Sequence, residues 1–215
     1  MPVRKALIIG GTTGIGAAIG ELLHDNNILV TTVGRQEFDV CSIDYYTQLH
    51  DYDYLVLSCG IDPRGNVPHL QQNWSDIEIT LQTNLIGQMK FTHSYLNQRK
   101  NKWSKVVFIG SAHNGDHILH NRLAYGLSRF AQRAYINALR HEINDTNHGI
   151  LLVRVGKSRT NILKNRLLDS WTQEKDDEYY SDLHLSMDDI KQRLSLALFD
   201  EQHYTQEIIL ATKPI

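Results

Sequence analysis

Tyr125 and Arg129 stand four residues apart in the run Ala124 to Asn144, which reads as a helix. At that separation a phenol and a guanidinium share one helix face. A free tyrosine titrates near pH 10. It exchanges protons usefully at neutral pH only beside a cation that favours the phenolate. Arg129 can supply that charge: at about 4 Å and an effective dielectric near 20, two unit charges interact by roughly 4 kcal/mol. An arginine keeps its own proton, so it stabilises a phenolate and donates to hydroxyls without acting as an acceptor in a relay. The chemistry on offer is acid–base catalysis. A packed aromatic on an amphipathic helix is the structural alternative.

A second constellation lies near the N-terminus. Ile9-Gly10-Gly11-Thr12-Thr13-Gly14-Ile15-Gly16 follows the apolar run Ala6 to Ile9 and opens into Ala17-Ala18-Ile19-Gly20-Glu21-Leu22-Leu23. That order predicts a buried strand, a tight turn and an amphipathic helix. The helix start offers unpaired N–H groups and the positive end of its dipole, so it favours an anion. Glycines there let a diphosphate approach the backbone. The spacing of Gly10, Gly14 and Gly16 is G-x-x-x-G-x-G, and a turn without a ligand is its alternative.

These residues need a scaffold, and the chain spells one. Apolar runs recur at Ala6–Ile9, Ile28–Val33, Tyr54–Leu57, Val106–Ile109, Leu151–Val155 and Ile208–Leu210. Continuous rather than alternating runs suit a parallel sheet covered on both faces. Helix-like segments intervene at Ile15–Asp25, Ile43–His50, Asp76–Gln98, Ala124–Asn144 and Met187–Leu198. The alternation predicts an α/β fold, a Rossmann-type doubly wound, mostly parallel sheet of about seven strands flanked by helices. Phe38-Asp39-Val40 is a candidate further strand. The 215 residues are expected to form a single domain over 1–215. The polar stretch 158–187 follows a strand end, where such sheets bind ligands, and is read as a substrate lid or else a solvated excursion.

Bulk properties exclude several classes. A net charge of −2 implies no nucleic-acid and no membrane partner. No apolar run reaches transmembrane length, and Met1 to Lys5 leads into the first strand without space for a signal peptide. Cys41 and Cys59 then read as free thiols, and the expected location is cytoplasmic. His113, His117 and His120 cluster before Tyr125, but their spacing matches no zinc pattern, so no metal is expected. His113, Asn114, Asp116 and His120 together point to a polar substrate.

Further landmarks stand in order along the chain. They are Asp53-Tyr54-Leu55-Val56-Leu57-Ser58-Cys59-Gly60, then Asn84-Leu85-Ile86-Gly87, Val106 to Ser111, Ala124-Tyr125-Gly126-Leu127-Ser128-Arg129, and Val155-Gly156-Lys157-Ser158-Arg159-Thr160. With the glycine turn, this series resembles the short-chain dehydrogenase/reductase family over almost the whole chain. Three positions depart from that family's pattern: Arg129 replaces its catalytic lysine, Val155 its turn proline, and Ser58-Cys59 its Asn-Ala pair.

The resemblance implies an enzyme that interconverts a carbonyl and a secondary alcohol on a small-molecule substrate. Ser111, Tyr125, Arg129 and Asn84 would be its catalytic residues. Ser111 would hold the substrate oxygen about 3 Å from Tyr125, and Asn84 would prop a water linking the cation to solvent. The cofactor would contact Gly10, Thr12, Thr13, Gly14, Ile15, Gly16, Arg35, Asp39, Val40, Gly60, Tyr125, Arg129 and Thr160. Val33-Gly34-Arg35 offers no acid for a ribose 2′-hydroxyl, and Arg35 can pair with a 2′-phosphate, so NADP(H) is preferred with NAD(H) as the alternative. Asp39 would accept from the adenine amine, or else cap a turn. A homodimer or homotetramer is implied through the helices of Asn84 and Tyr125. An epimerase or dehydratase on the same scaffold, or a nucleotide-binding protein without turnover, are the rival readings.

Overall fold

The computed structural model of the chain describes residues 3–35, 39–41, 46–63, 67–100, 102–112, 121–143, 147–167, 171–181, 184–200 and 205–211. In chain order the elements are β1 (Lys5–Ile9), α1 (Gly14–Asp25), β2 (Leu29–Val33), β3 (Tyr54–Leu57) and α2 (Trp74–Leu81). A π-helical turn (Gln82–Ile86) joins α2 to α3 (Gly87–Gln98), and β4 (Ser104–Ser111), α4 (Leu123–Glu142) and β5 (His148–Val155) follow. The chain continues through α5 (Ile162–Leu167), α6 (Gln173–Tyr179), α7 (Met187–Phe199) and β6 (Thr205–Leu210). The strands form one parallel sheet in the order β2-β1-β3-β4-β5-β6.

The apolar runs are continuous because successive residues feed two cores. Ala6, Ile8, Val56, Val107, Leu151 and Val153 belong to one, with Ile19 and Leu23 of α1 and Ile190 and Leu194 of α7. Leu7, Ile9, Leu55, Leu57, Val106, Phe108, Ile150 and Leu152 belong to the other, with Phe91 and Tyr95 of α3 and Ile136 of α4. Each large aliphatic side chain contributes about 1.5–3 kcal/mol on burial. Lys105 interrupts the apolar pattern of β4. Its Nζ donates to the carbonyls of Ala197, Leu198 and Asp200 at 2.8, 3.1 and 2.9 Å, and so caps the C-terminal end of α7.

Four details depart from expectation. The sheet has six strands among the described residues, against about seven. The segment 34–53 between β2 and β3 is too short for a further strand and its crossover helix. Its described part carries a 3₁₀ turn at Tyr46–Asp51 in place of the expected helix over Ile43–His50, of which residues 43–45 lie outside the described residues. Asp39 and Val40 lie outside any strand, and Phe38 falls outside the described residues. The helix over Asp76–Gln98 is interrupted by the π turn, which holds Asn84 fully buried. Among the described residues no helix is long and apolar enough to cross a membrane.

Candidate active site

The chain leaves β1 for the sheet edge at β2 and then crosses to β3 on the other side of β1. A crevice opens outside the carboxyl ends of the strands at such a switch point. Gly10 and Gly14 hold φ of +80° and +58° in the first turn, conformations that disfavour a side chain. A Cβ on Gly10 would also stand 2.7 Å from the Cys59 nitrogen, and one on Gly14 would press on Thr160 Cγ2 at 3.3 Å. Gly16 does not line the crevice; a Cβ there would strike the Gly10 carbonyl, so its role is to let the turn pack on its own helix. Thr13 caps α1 without a side-chain hydrogen bond, and no acid stands in the first turn. The helix start therefore remains open to an anion.

The crevice is a cleft of about 410 Å³. Gly10, Thr12, Thr13, Gly14 and Ile15 line it, joined by Arg35, Asp39 and Val40 beyond β2 and Gly60 beyond β3. Ser111 of β4, Tyr125 and Arg129 of α4, and Thr160 beyond β5 also face it. The ends of β2 and β4 are three strand spacings apart, roughly 14 Å. Arg35 and Asp39 are exposed, and Asp39 Oδ1 accepts from the Cys41 amide at 2.9 Å. That aspartate caps its own turn while lining the cleft.

Tyr125 sits beside two guanidinium groups. The Arg122 and Arg129 Cζ atoms lie 4.3 and 5.3 Å from its ring centroid. Arg129 is buried, and its Nη1 donates to the Ile109 carbonyl at 3.2 Å and to Gln132 Oε1 at 3.3 Å. Gln132 Nε2 donates to Gln88 Oε1 at 2.7 Å, and Gln88 Nε2 to the Cys59 carbonyl at 2.8 Å. This buried chain of amides ties the cation to the loop after β3. Arg129 Nη2 lies so close to Gly60 that a Cβ there would overlap it.

Asn84 does not line the cleft. Its amide clamps Ile61 at two points, accepting from the backbone nitrogen at 2.8 Å and donating to the carbonyl at 2.9 Å, and it also donates to Ser128 Oγ at 3.1 Å. The side chain fixes the loop after Gly60. Behind Ser111, Arg154 Nε donates to the Ser111 carbonyl at 3.4 Å and Nη2 to that of Ala112 at 2.9 Å, while Nη1 pairs with Glu207 at 3.0 Å. Burial pushes the Cys59 thiol up to about 11 against the opposing charge of Arg129, so it stays protonated at neutral pH.

Residues after β5 fold against the opening. The Leu185 amide donates to the Lys157 carbonyl at 2.8 Å, and Ser158 and Leu185 form a parallel bridge. Arg159 pairs with Asp177 at 3.0 Å, drawing α6 toward the end of β5. Lys157 Nζ lies 4.3 Å from the Tyr179 ring centroid, and Lys157, Tyr179 and Tyr180 all line the cleft. His113, Asn114, Asp116, His117 and His120 lie outside the described residues. Among the described residues no group of three or more His, Cys, Asp or Glu could hold a metal ion.

No motif in the sequence singles out Arg122, Asp62, Gln88 or Gln132. A usable signal exists for two of them. Gln88 is one helical turn beyond Asn84, and Gln132 is three residues beyond Arg129, so helical periodicity places each on the face of the residue before it.

Residues 41–171 match the short chain dehydrogenase family model. Dehydrogenase/reductase SDR family member 7B of Danio rerio is 27% identical over 113 residues, 53% of this chain and 36% of that protein. The match thus spans about a third of the length of this curated relative. The closed form of serine dehydrogenase complexed with NADP+ has a similar fold, with a TM-score of 0.77 at 18% identity over 95% of this chain and 94% of that one. So does 4-hydroxyisoleucine dehydrogenase complexed with NADH, with a TM-score of 0.74 at 18% identity over 96% of each chain. The family match begins beyond the glycine turn, yet the turn, the parallel sheet and the cleft beside Tyr125 form one architecture with it: the chain belongs to the short chain dehydrogenase family.

Proposed function

We propose that this chain is an NADP(H)-dependent oxidoreductase that interconverts a carbonyl and a secondary alcohol on a small, polar substrate. One observation carries the reading: the uncapped start of α1 and the group Ser111, Tyr125 and Arg129 line the same cleft. The residues present fit a nicotinamide dinucleotide. A Cβ on Gly10 would collide with the Cys59 backbone and Gly14 holds a positive φ, so the turn excludes side chains beside a helix start open to a diphosphate. When bound, the nicotinamide supplies or accepts the hydride.

The chain's own residues do the rest. Gly10, Thr12, Thr13, Gly14 and Ile15 hold the diphosphate, with Thr160 opposite them. Gly60 bounds the cleft beyond β3, where Arg129 lies against it. Arg35 receives a 2′-phosphate, and Asp39 and Val40 bound the adenine. Ser111 donates to the substrate oxygen, Tyr125 gives or takes the proton at that oxygen, and Arg129 stabilises the phenolate and donates to the ribose. Asn84 acts through the loop that it clamps. Residues 158–187 serve as the lid, within a single domain over 1–215. A solved neighbour with NADP+ and another with NADH support either cofactor; the exposed Arg35 in the cleft wall supports NADP(H). The exposed Leu123, Leu127 and Phe130 of α4 support a homodimer or homotetramer, and the free thiols Cys41 and Cys59 support a cytoplasmic setting.

The test is twofold. Native mass spectrometry of nucleotide carried through purification should find NADP(H), and turnover of a carbonyl panel should favour NADPH over NADH, a preference lost in Arg35→Ala. Tight dinucleotide binding without turnover across the panel would replace this reading with a second one, a binding protein. The observation behind that alternative is the Arg129 Nη1, which is bonded to Ile109 and Gln132.

A further inference from the structure

Among the described residues, the wall near Tyr125 carries more positive than negative charge. Arg122, Arg129 and Lys157 line the cleft, whereas the one carboxylate among its described lining residues, Asp39, belongs to the β2 end. Arg122 stands at the N-cap of the 20-residue α4, whose first turn has no acid and no side-chain cap. The positive pole of that helix therefore adds to the guanidinium charge. Asp62, buried beside it, accepts from Arg122 Nε at 2.9 Å and from Nη2 at 2.6 Å, both on Oδ2. This pairing locks one edge of the guanidinium, while Nη1 has no hydrogen bond to a described residue. The same group lies 4.3 Å from the centroid of the Tyr125 ring. An acceptor held by this guanidinium thus lies near the Tyr125 ring. Lys157 adds a second cation against Tyr179 of α6.

We infer that the substrate is a small hydroxy or oxo acid whose carboxylate is received by Arg122, with Lys157 as the supporting charge. This deepens the redox reading of the same cleft and rests on it. The carboxylate changes no bond; it fixes the acid so that the neighbouring alcohol or carbonyl carbon meets Ser111 and Tyr125. A charge-assisted hydrogen bond in a partly buried site is worth roughly a ten- to hundredfold gain in affinity.

The experiment compares straight-chain 3-hydroxy acids of four to eight carbons with their primary amides. Binding is followed by saturation-transfer NMR and calorimetry, with and without NADP+. The native chain should bind at least one acid tenfold or more tighter than its amide. The double variant Asp62→Asn with Arg122→Gln should abolish the preference while keeping its NADP+ affinity, and leaves no orphaned carboxylate. Lys157→Gln should reduce it. Equal binding of acid and amide, no acid bound across the series, or a preference unchanged in both variants overturns the inference. So does a loss of NADP+ affinity that parallels the loss of acid binding, because the cations would then serve the dinucleotide. NADPH formation is read in parallel. Charge-selective binding without NADPH formation removes the redox reading and leaves the carboxylate site standing. Equal oxidation of acids and amides does the reverse.

Discussion

Arg129→Lys introduces the residue that the sequence resemblance leads one to expect at this position, and the geometry around Arg129 implies that it will damage this protein. A lysine ammonium cannot reproduce a planar fork that donates to the Ile109 carbonyl and Gln132 Oε1 at 3.2 and 3.3 Å while lying against Gly60. Each buried acceptor left without its donor costs about 1–3 kcal/mol, so the expected loss is about 3 kcal/mol. For a chain of 215 residues, that lowers Tm by about 6–12 °C. Gln132 also passes its amide to Gln88 and thence to the Cys59 carbonyl, so the loop before Gly60 should loosen. Thermal and urea unfolding of Arg129→Lys, Gln132→Leu and the double variant would give a coupling of about 1 kcal/mol or more. NADPH-dependent turnover should fall at least tenfold in Arg129→Lys. A variant with Tm within about 1 °C of the parent and undiminished turnover would refute the claim that this interior is built around a guanidinium.

Three other outcomes are expected. Tyr125→Phe should lower turnover by about 10²–10⁴ while dinucleotide affinity, measured by fluorescence titration, changes little. Lys105→Met should cost about 3 kcal/mol in urea unfolding, because it uncaps the carbonyls at the end of α7, yet leave turnover per folded molecule intact. Burial opposes ionisation of Glu207, but hydrogen bonds from Arg154 and Arg133 outweigh it and hold the carboxyl below its ordinary value of 4.5. The folded state therefore binds fewer protons there than the unfolded one; this stabilisation is present above pH 4.5 and is lost as pH falls through the lowered folded value. Tm should fall more steeply across that acid window in the parent than in Glu207→Gln, and equal slopes would count against the arginine cluster as its cause.

The fold was legible where physics is local. Apolar runs located all six described strands; every residue of the central β3, β4 and β5 is buried, as a sheet covered on both faces requires, whereas the edge strand β2 is apolar in sequence but mostly exposed. Pattern reading faltered where spacing carries no such signal. The expected seventh strand had its candidate in Phe38-Asp39-Val40, whereas the described part of 34–53 contains a 3₁₀ turn and no strand. The π turn at Gln82–Ile86 was equally hidden, since one extra residue in a turn hardly alters an amphipathic pattern. It is nevertheless the feature that accompanies the buried Asn84 and its clamp on Ile61.

The lining of the candidate site was legible in its residue types, but what supports those residues was not. Tyr125 and Arg129 could be paired because helical spacing links them, and the glycine turn because strand and helix flank it. The amide chain through Gln132 and Gln88 joins two helices and a loop across 44 sequence positions, and no spacing rule predicts a contact between separate elements. Yet it accounts for the departure that stood out most. From sequence, the arginine reads as a cation that stabilises a phenolate without joining a proton relay; its larger head must also find room and acceptors in the interior. Here Gly60 supplies the room, and Ile109 and Gln132 supply the acceptors. Replacing Gly60 or Gln132 should therefore be felt through Arg129, whereas the Ile109 acceptor is a backbone carbonyl that a side-chain change leaves in place. A Gly60→Ala variant displaces the guanidinium without touching its charge, so NADPH-dependent turnover should drop while the circular dichroism of the sheet is retained. Full turnover in that variant would mean that the placement of the guanidinium does not govern the chemistry.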